Sequence, residues 1–179
     1  MAGLSKGKIV LDAYSYVGGF GLAAAKAGAK AVTGIESSAA AVALAEEAAG
    51  AGHLAATFLK ADVFEELERL GNAKKTFDVV NADPPPFVKA KKDLETGAKS
   101  YRKLAKLAAA VTAPQGILFI ASCSHNIQMD RFAYECAAGI SRAGRAARLI
   151  RMAGAGPDHP IHPMLPESAY LKGLVYALD

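Results

Sequence analysis

Cysteine is scarce in this chain of 179 residues: Cys123 and Cys136 are the two present, and they do not form a CxxC pair. A disulfide framework and a zinc-ligand spacing are therefore not implied, no metal site is expected, and a reducing cytoplasm is the expected setting. Long apolar runs are missing as well. Hydrophobic residues make up 52% of the chain, yet no stretch approaches the ~20 residues needed to cross a membrane. Residues 1–8 are short and basic, with no apolar signal core before the first candidate strand. Neither sign of charge dominates: the net charge is +4, which is mild for a nucleic-acid binder, so its distribution matters more than its size. Internal repeats are absent. The length suits one domain over residues 1–179, long enough to bury a core.

The most informative stretch is Ile9-Val10-Leu11-Asp12-Ala13-Tyr14-Ser15-Tyr16-Val17-Gly18-Gly19-Phe20-Gly21. A short apolar run suited to a strand buried on both faces leads into a polar glycine turn. An alanine-rich helix over 22–29, closed by Gly28, follows. Glycine suits such a turn because a residue without a Cβ lets the backbone approach a ligand closely. A second strand over 31–36 ends in Glu36, close to the ~20-residue spacing at which an acidic side chain meets the ribose hydroxyls of a nucleoside. The turn lacks the third spaced glycine of a dinucleotide site and the lysine of a P-loop. A nucleoside without phosphates is the better fit, and S-adenosylmethionine is the common one.

The rest of the chain alternates helices and strands. A helix over 38–49, capped by Ser37 or Ser38, precedes a strand over 57–60 that ends at Asp62-Val63. Asp62 is placed either to accept from an adenine amino group or to cap the helix over 64–70. A fourth strand over 77–82 delivers Asp83-Pro84-Pro85-Pro86-Phe87, a loop stiffened by three prolines. The longest helix runs over 95–111 and ends at a loop over 112–116. The fifth strand, over 117–121, brings Ser122-Cys123-Ser124-His125 to the same edge as Asp83. A helix over 130–144, a basic strand over 146–152, a proline-rich loop over 153–168 and a last strand over 173–178 complete the chain. The pattern predicts an α/β fold with seven strands, mostly parallel, and helices on both faces. The last two strands, joined without a helix, should pair antiparallel.

Cys123 beside a base-gripping loop suggests a specific chemistry. Carbon 5 of cytosine is a poor nucleophile until a thiolate adds to carbon 6 and makes it enamine-like. It can then take a methyl group, lose its proton and expel the thiol. Free cysteine is only a few per cent thiolate at neutral pH, so a nearby positive group is needed, and His125 is a candidate. Asp83 would hold the ring nitrogen or the exocyclic amine of the base. Between positions 89 and 106, Lys89, Lys91, Lys92, Lys99, Arg102, Lys103 and Lys106 face only Asp93 and Glu95. That run is either a solvated helix face or a contact for phosphates.

Tyr14-Ser15-Tyr16-Val17-Gly18-Gly19-Phe20, Asp83-Pro84-Pro85-Pro86-Phe87, Ser122-Cys123-Ser124, Asp158-His159-Pro160 and the run Pro166 to Gly173 resemble the bacterial 23S ribosomal RNA cytosine-5 methyltransferases of the large-subunit type. The likeness covers nearly the whole chain. It implies a Rossmann-like class I methyltransferase fold, S-adenosylmethionine as cofactor, an RNA substrate from the ribosome and a place in rRNA processing. It implies Cys123 as nucleophile and Asp83 as the grip on the base. It puts Tyr14, Ser15, Gly18, Gly19, Phe20, Glu36, Ser37, Asp62, Val63, Asp83 and Pro84 at the cofactor, and Pro85, Phe87, Lys89, Arg102, Lys103 and His159 at the substrate. Family members usually carry an N-terminal PUA domain and a linking domain, and neither is expected here. The RNA grip would then come from a homodimer or a partner. Pro86 stands where relatives often have lysine, and no cysteine in the acidic-proline loop is present to release the product. Two alternatives stay open: methylation of a base amino group or guanine without covalent catalysis, and a non-catalytic module that binds S-adenosylmethionine or RNA.

Overall fold

The computed structural model of the chain describes residues 2–157 and 159–179; Asp158, part of the Asp158-His159-Pro160 motif, lies outside them. Seven strands form a single sheet: β1 (Ile9–Ala13), β2 (Ala31–Glu36), β3 (Ala56–Lys60), β4 (Phe77–Ala82), β5 (Thr112–Ser122), β6 (Ala147–Ala153) and β7 (Lys172–Leu178). Their order across the sheet is β3-β2-β1-β4-β5-β7-β6. The pairs from β3 through β5 are parallel. β7 runs antiparallel to both of its neighbours, as the missing helix between the last two strands predicts. Strands β2 and β3 step outward from β1 in one direction, and β4 and β5 in the other. The reversal between β1 and β4 opens a crevice at the carboxyl ends of those strands, where open α/β sheets bind ligands. Tyr14 and Asp83 follow directly from those two tips.

Two helical layers explain why the central strands read as continuous apolar runs. On one face lie α3 (Val63–Asn72), α4 (Leu94–Ala110) and α5 (Met129–Arg142). They bury Leu67, Leu70, Tyr101, Leu104, Phe132 and Ile140 against Leu11, Val80, Leu118, Ile120 and Leu174. Each such side chain contributes about 1.5–3 kcal/mol on burial. On the other face, α1 (Gly19–Lys26) sets Ala24 against Val10, Val32 and Val79. Beside it, α2 (Ala39–Ala51) sets Val42, Ala45 and Ala49 against Phe58. Alanines let these two helices sit close to the sheet.

Helix boundaries depart from the local pattern where tertiary partners intervene. The first helix begins at Gly19 rather than 22, because the backbone N–H of Gly21 is held by a buried carboxylate, Asp12. It stops at Lys26, and Gly28 follows at φ +91°. Ser38 caps α2 through its Oγ, which accepts from the Ala41 N–H at 3.3 Å. Residues 112–116, expected as a loop, belong to β5: Thr112 pairs with Phe77 before a register shift at Val79. Arg145 supplies the reason. Its guanidinium donates to the carbonyls of Ala109 and Thr112 and pairs with Asp179, from a part of the chain no local reading can see.

Gly34 in β2 leaves room for Phe58, which packs under the glycine turn; a Cβ there would run into the ring of Phe58 and lie 3.0 Å from Ser15 Oγ. Gly34→Ala is therefore expected to cost about 1–3 kcal/mol in urea unfolding, with part of the loss recovered in Gly34→Ala/Phe58→Leu.

Candidate active site

The turn after β1 is backbone under constraint. Tyr14 and Tyr16 take φ values of +63° and +49°, a left-handed conformation that costs non-glycine residues of order 1–3 kcal/mol and persists where the surroundings over-determine it. The surroundings do so here. The Ser15 N–H donates to Ile35 O at 3.0 Å and that of Gly18 to Ser15 O at 2.7 Å. The N–H of Tyr16 donates to Glu36 Oε2 at 3.1 Å. Beneath the turn, Asp12 is 1% exposed and accepts from the Gly21 N–H at 2.7 Å and from Asn81 Nδ2 at 2.6 Å. Burial pushes its carboxyl up to about 6, against the pull of these two hydrogen bonds.

Glu36, at the tip of β2, has a fixed carboxylate: the Ser38 N–H donates to Oε1 at 2.8 Å and the Ser37 hydroxyl at 3.1 Å. Burial works against its ionisation, but these donors and the Tyr16 N–H hold it below the usual carboxylate range. Tyr14 Oη and Ser15 Oγ are buried without a hydrogen-bond partner among the described residues. A buried polar atom left unpaired costs about 1–3 kcal/mol. Asp62 uses Oδ1 to cap α3 through the Glu65 N–H, which realises the capping alternative of its two readings. Val63 turns its side chain into the core, so only its backbone remains at the rim.

Asp83, after β4, hangs from β1 by its N–H, 3.4 Å from Ala13 O. Burial raises its carboxyl above the ordinary value, and His159 pulls the other way. The loop it opens is stapled to the cysteine loop. Ser124 Oγ accepts from the Val88 N–H at 3.1 Å and shares a hydrogen bond with Tyr101 Oη at 2.8 Å. Tyr101 Oη shares another with Ser122 Oγ at 2.7 Å, and Asn126 Nδ2 donates to Lys89 O at 3.0 Å.

These connections bring Cys123 and Asp83 into one cleft of about 580 Å³, shared with Phe20, Pro84, Pro85, His159 and Lys172. Cys123 is partly exposed, and its Sγ lies 3.8 Å from Pro84 O. Burial pushes its thiol up and Asp83 adds to that, while its own backbone and Lys172 oppose. Other expected site residues lie elsewhere. Phe87 turns inward, with its ring 4.8 Å from Tyr101 and 6.0 Å from Phe64, because a large aromatic gains more from the core than from the rim. Arg102 is bound to the buried Glu135 between α4 and α5. Lys103 pairs with Glu68 at 2.9 Å and lies over the ring of Phe64. Lys89 is exposed outside the cleft lining. His125 stacks on Tyr170 at 4.3 Å, and Lys172 is a positive group that acts on Cys123.

A family model described as a methyltransferase domain matches residues 4–154. The chain belongs to the methyltransferase-domain family. Among curated relatives of this methyltransferase domain, ribosomal RNA large subunit methyltransferase I of Aeromonas salmonicida (strain A449) is 36% identical over 171 residues, which is 94% of this chain and 43% of the relative. The protein of the same name from Shewanella frigidimarina (strain NCIMB 400) is 37% identical over 173 residues, 95% of this chain and 44% of the relative. The chain thus spans less than half the length of these relatives. In fold it matches a Streptococcus mutans protein assigned as a SAM-dependent methyltransferase, with a TM-score of 0.82, 24% identity, and 97% of this chain and 45% of that one covered. Trm5b from Pyrococcus abyssi matches with a TM-score of 0.71 and 13% identity, covering 98% and 45%.

Asp12, Asn81, Ser124, Tyr101 and Lys172 carried no expected role, though Asp12, Ser124 and Lys172 stand inside the motifs quoted above. A signal existed for the first two: polar residues inside apolar strands that stand opposite one another, Asp12 against Asn81, once β1 and β4 are paired.

Asp12 carries a pH signature. A carboxyl whose folded value is raised from 3.8 to about 6 lends stability that is complete below about pH 4 and lost as pH rises through 6. Asp12→Asn keeps an acceptor for Gly21, and the unpaired Asn81 Oδ1 can turn to meet the new amide. The variant is expected to gain roughly 3 kcal/mol relative to wild type between pH 4 and pH 7 in denaturant titrations. Ser124→Ala orphans the Val88 N–H, so a loss of about 1–3 kcal/mol is expected; amide exchange at Val88 should quicken while that at Val79, inside the sheet, stays protected.

Proposed function

We propose that this domain transfers the methyl group of S-adenosylmethionine to carbon 5 of a cytosine in ribosomal RNA, with Cys123 as the nucleophile and Asp83 holding the base. The observation that carries the reading is the meeting of Cys123 and Asp83 in one cleft beside the glycine turn. The relatives named ribosomal RNA large subunit methyltransferase I support an RNA substrate of the large subunit.

The turn's residues fit a nucleoside-bearing donor. Glu36 presents a carboxylate fixed by backbone donors, suited to ribose hydroxyls. Tyr14 Oη and Ser15 Oγ offer polar atoms with no partner of their own among the described residues. The space a Cβ would take at Gly19 is open, which leaves the backbone free to be approached. S-adenosylmethionine supplies an electrophilic methyl on a sulfonium.

In the proposed sequence Cys123 Sγ, as thiolate, bonds to carbon 6 of the base. Asp83 holds the edge of the ring and stabilises the protonated adduct, which turns carbon 5 into a nucleophile. Carbon 5 takes the methyl as the donor's sulfonium–methyl bond breaks to leave a neutral thioether; carbon 5 then loses its proton to a base, and the bond between carbon 6 and Cys123 Sγ breaks, returning the thiolate.

A second reading has its own support. The Cys123 thiol is pushed up by burial and by Asp83, which favours direct transfer to an amino group held by Asp83 without a covalent adduct. Cys123→Ala decides between them. On the covalent reading, methyl transfer to large-subunit RNA falls by about three orders of magnitude or more, while S-adenosylmethionine binding by calorimetry is kept, and mass spectrometry of digested RNA finds 5-methylcytidine. Full activity in Cys123→Ala, or a methyl on an exocyclic nitrogen, would overturn it.

A further inference from the structure

We propose that Lys172 is a positioning cation that sets how much of Cys123 is thiolate; the inference rests on the reading of Cys123 as nucleophile for its meaning, though not for its measurement. Lys172 opens β7, where it pairs with Ser122 across the antiparallel register, one residue before the cysteine. Its side chain is half-buried and lines the cleft that Cys123 and Asp83 share. Two backbone carbonyls anchor the ammonium: Ser124 O at 3.0 Å and Tyr170 O at 2.6 Å. One of them belongs to the residue after Cys123, so the cation is tied to the strand end that carries the thiol. An ammonium has three donors, and the third has no acceptor among the described residues.

The charges around Cys123 come from every element packed on it. Asp83 at the end of β4 opposes ionisation, and His159 in the late loop acts on Asp83. Tyr101 on α4 faces the thiol as a phenol whose own ionisation burial disfavours. Lys172 acts directly on Cys123, and the effect is mutual: burial weakens the ammonium while the cysteine steadies it. In a partly desolvated cleft such a pair couples more strongly than it would in water.

Alkylation by iodoacetamide reads the thiolate without donor or RNA. Cys136 is fully buried, so the signal comes from Cys123. In Lys172→Met the rate at pH 7.5 should fall about tenfold and its pH midpoint should rise by about one unit. Lys172→Arg, which keeps the charge, should stay within about twofold. A folded Lys172→Met with an unchanged profile overturns the proposal. The reciprocal measurement leaves the lysine in place: in Cys123→Ser, with carbon-13 label on the lysine ε-carbons, the Lys172 ammonium should titrate at lower pH than in wild type. If no lysine resonance moves, the proposal fails. Should the thiol profile shift while the pH profile of methyl transfer does not, the Lys172 assignment stands and the nucleophilic role of Cys123 falls.

Discussion

A single buried carboxylate holds the crevice in shape. Asp12 sits in the middle of an apolar strand, yet it receives hydrogen bonds from α1 through Gly21 and from β4 through Asn81. Three elements that meet at the reversal of strand order are thereby fixed by one side chain. Burying a carboxylate is costly, and its raised pKa shows that the two hydrogen bonds do not fully offset the cost. Asp12 lies in β1 beneath the first turn of α1, whose Gly21 N–H it accepts, and negative charge is favourable near a helix N-terminus. In return, the turn between β1 and α1 keeps two tyrosines in left-handed backbone that would relax if the anchor were lost. The strained backbone at Tyr14 and Tyr16 and the buried carboxylate of Asp12 thus belong to the same turn at the mouth of the crevice.

The opposite wall is stiffened differently. Three prolines limit the loop after Asp83 without deciding where it points. Direction comes from Ser124, which receives the Val88 N–H and shares a bond with Tyr101, itself packed against Phe87 and Phe132. The separation between Asp83 and Cys123 is thus set by a hydroxyl cluster rooted in the core of α4. On the proposed reading, holding Cys123 and Asp83 in place before a ligand arrives lowers the entropic part of the barrier, and hydrogen-bonded support beneath a site is what provides that hold.

Much of this was legible in the chain. Apolar runs marked β2 and β4 to the residue, since buried parallel strands leave a dense signal, whereas β5 begins at Thr112 rather than 117. The missing helix between β6 and β7 foretold their antiparallel pairing. The positions of Glu36, Asp83 and Cys123 at the carboxyl ends of β2, β4 and β5 were legible, because strand ends are marked in the sequence and the topology brings them together. What escaped notice depends on long-range partners. Phe87 belongs to the core because Tyr101 and Phe64 come from elsewhere to meet it. Arg102 looks like a free cation until Glu135 on another helix is brought beside it. Lys172 is marked in the sequence only as part of the run that carries the family likeness, and its place beside Cys123 emerges when β7 inserts next to β5.

That insertion has an electrostatic consequence. Cys123 shares its cleft with an acid that follows β4 and a cation that opens β7, and the two push its thiol in opposite directions. With the cleft open, burial and Asp83 prevail, and the thiol rests above its ordinary value. On the proposed reading, a base entering the cleft engages Asp83 through its amine or ring nitrogen, and the field of the carboxylate is then spent on the base. The same base excludes water, which strengthens the remaining attraction between Lys172 and the sulfur. A nucleophile restrained by one wall and released by the other would stay quiet until its substrate is seated. Reversing β7 is what makes this possible, because an antiparallel strand brings its first residue, rather than its last, to the rim that carries Cys123 and Asp83.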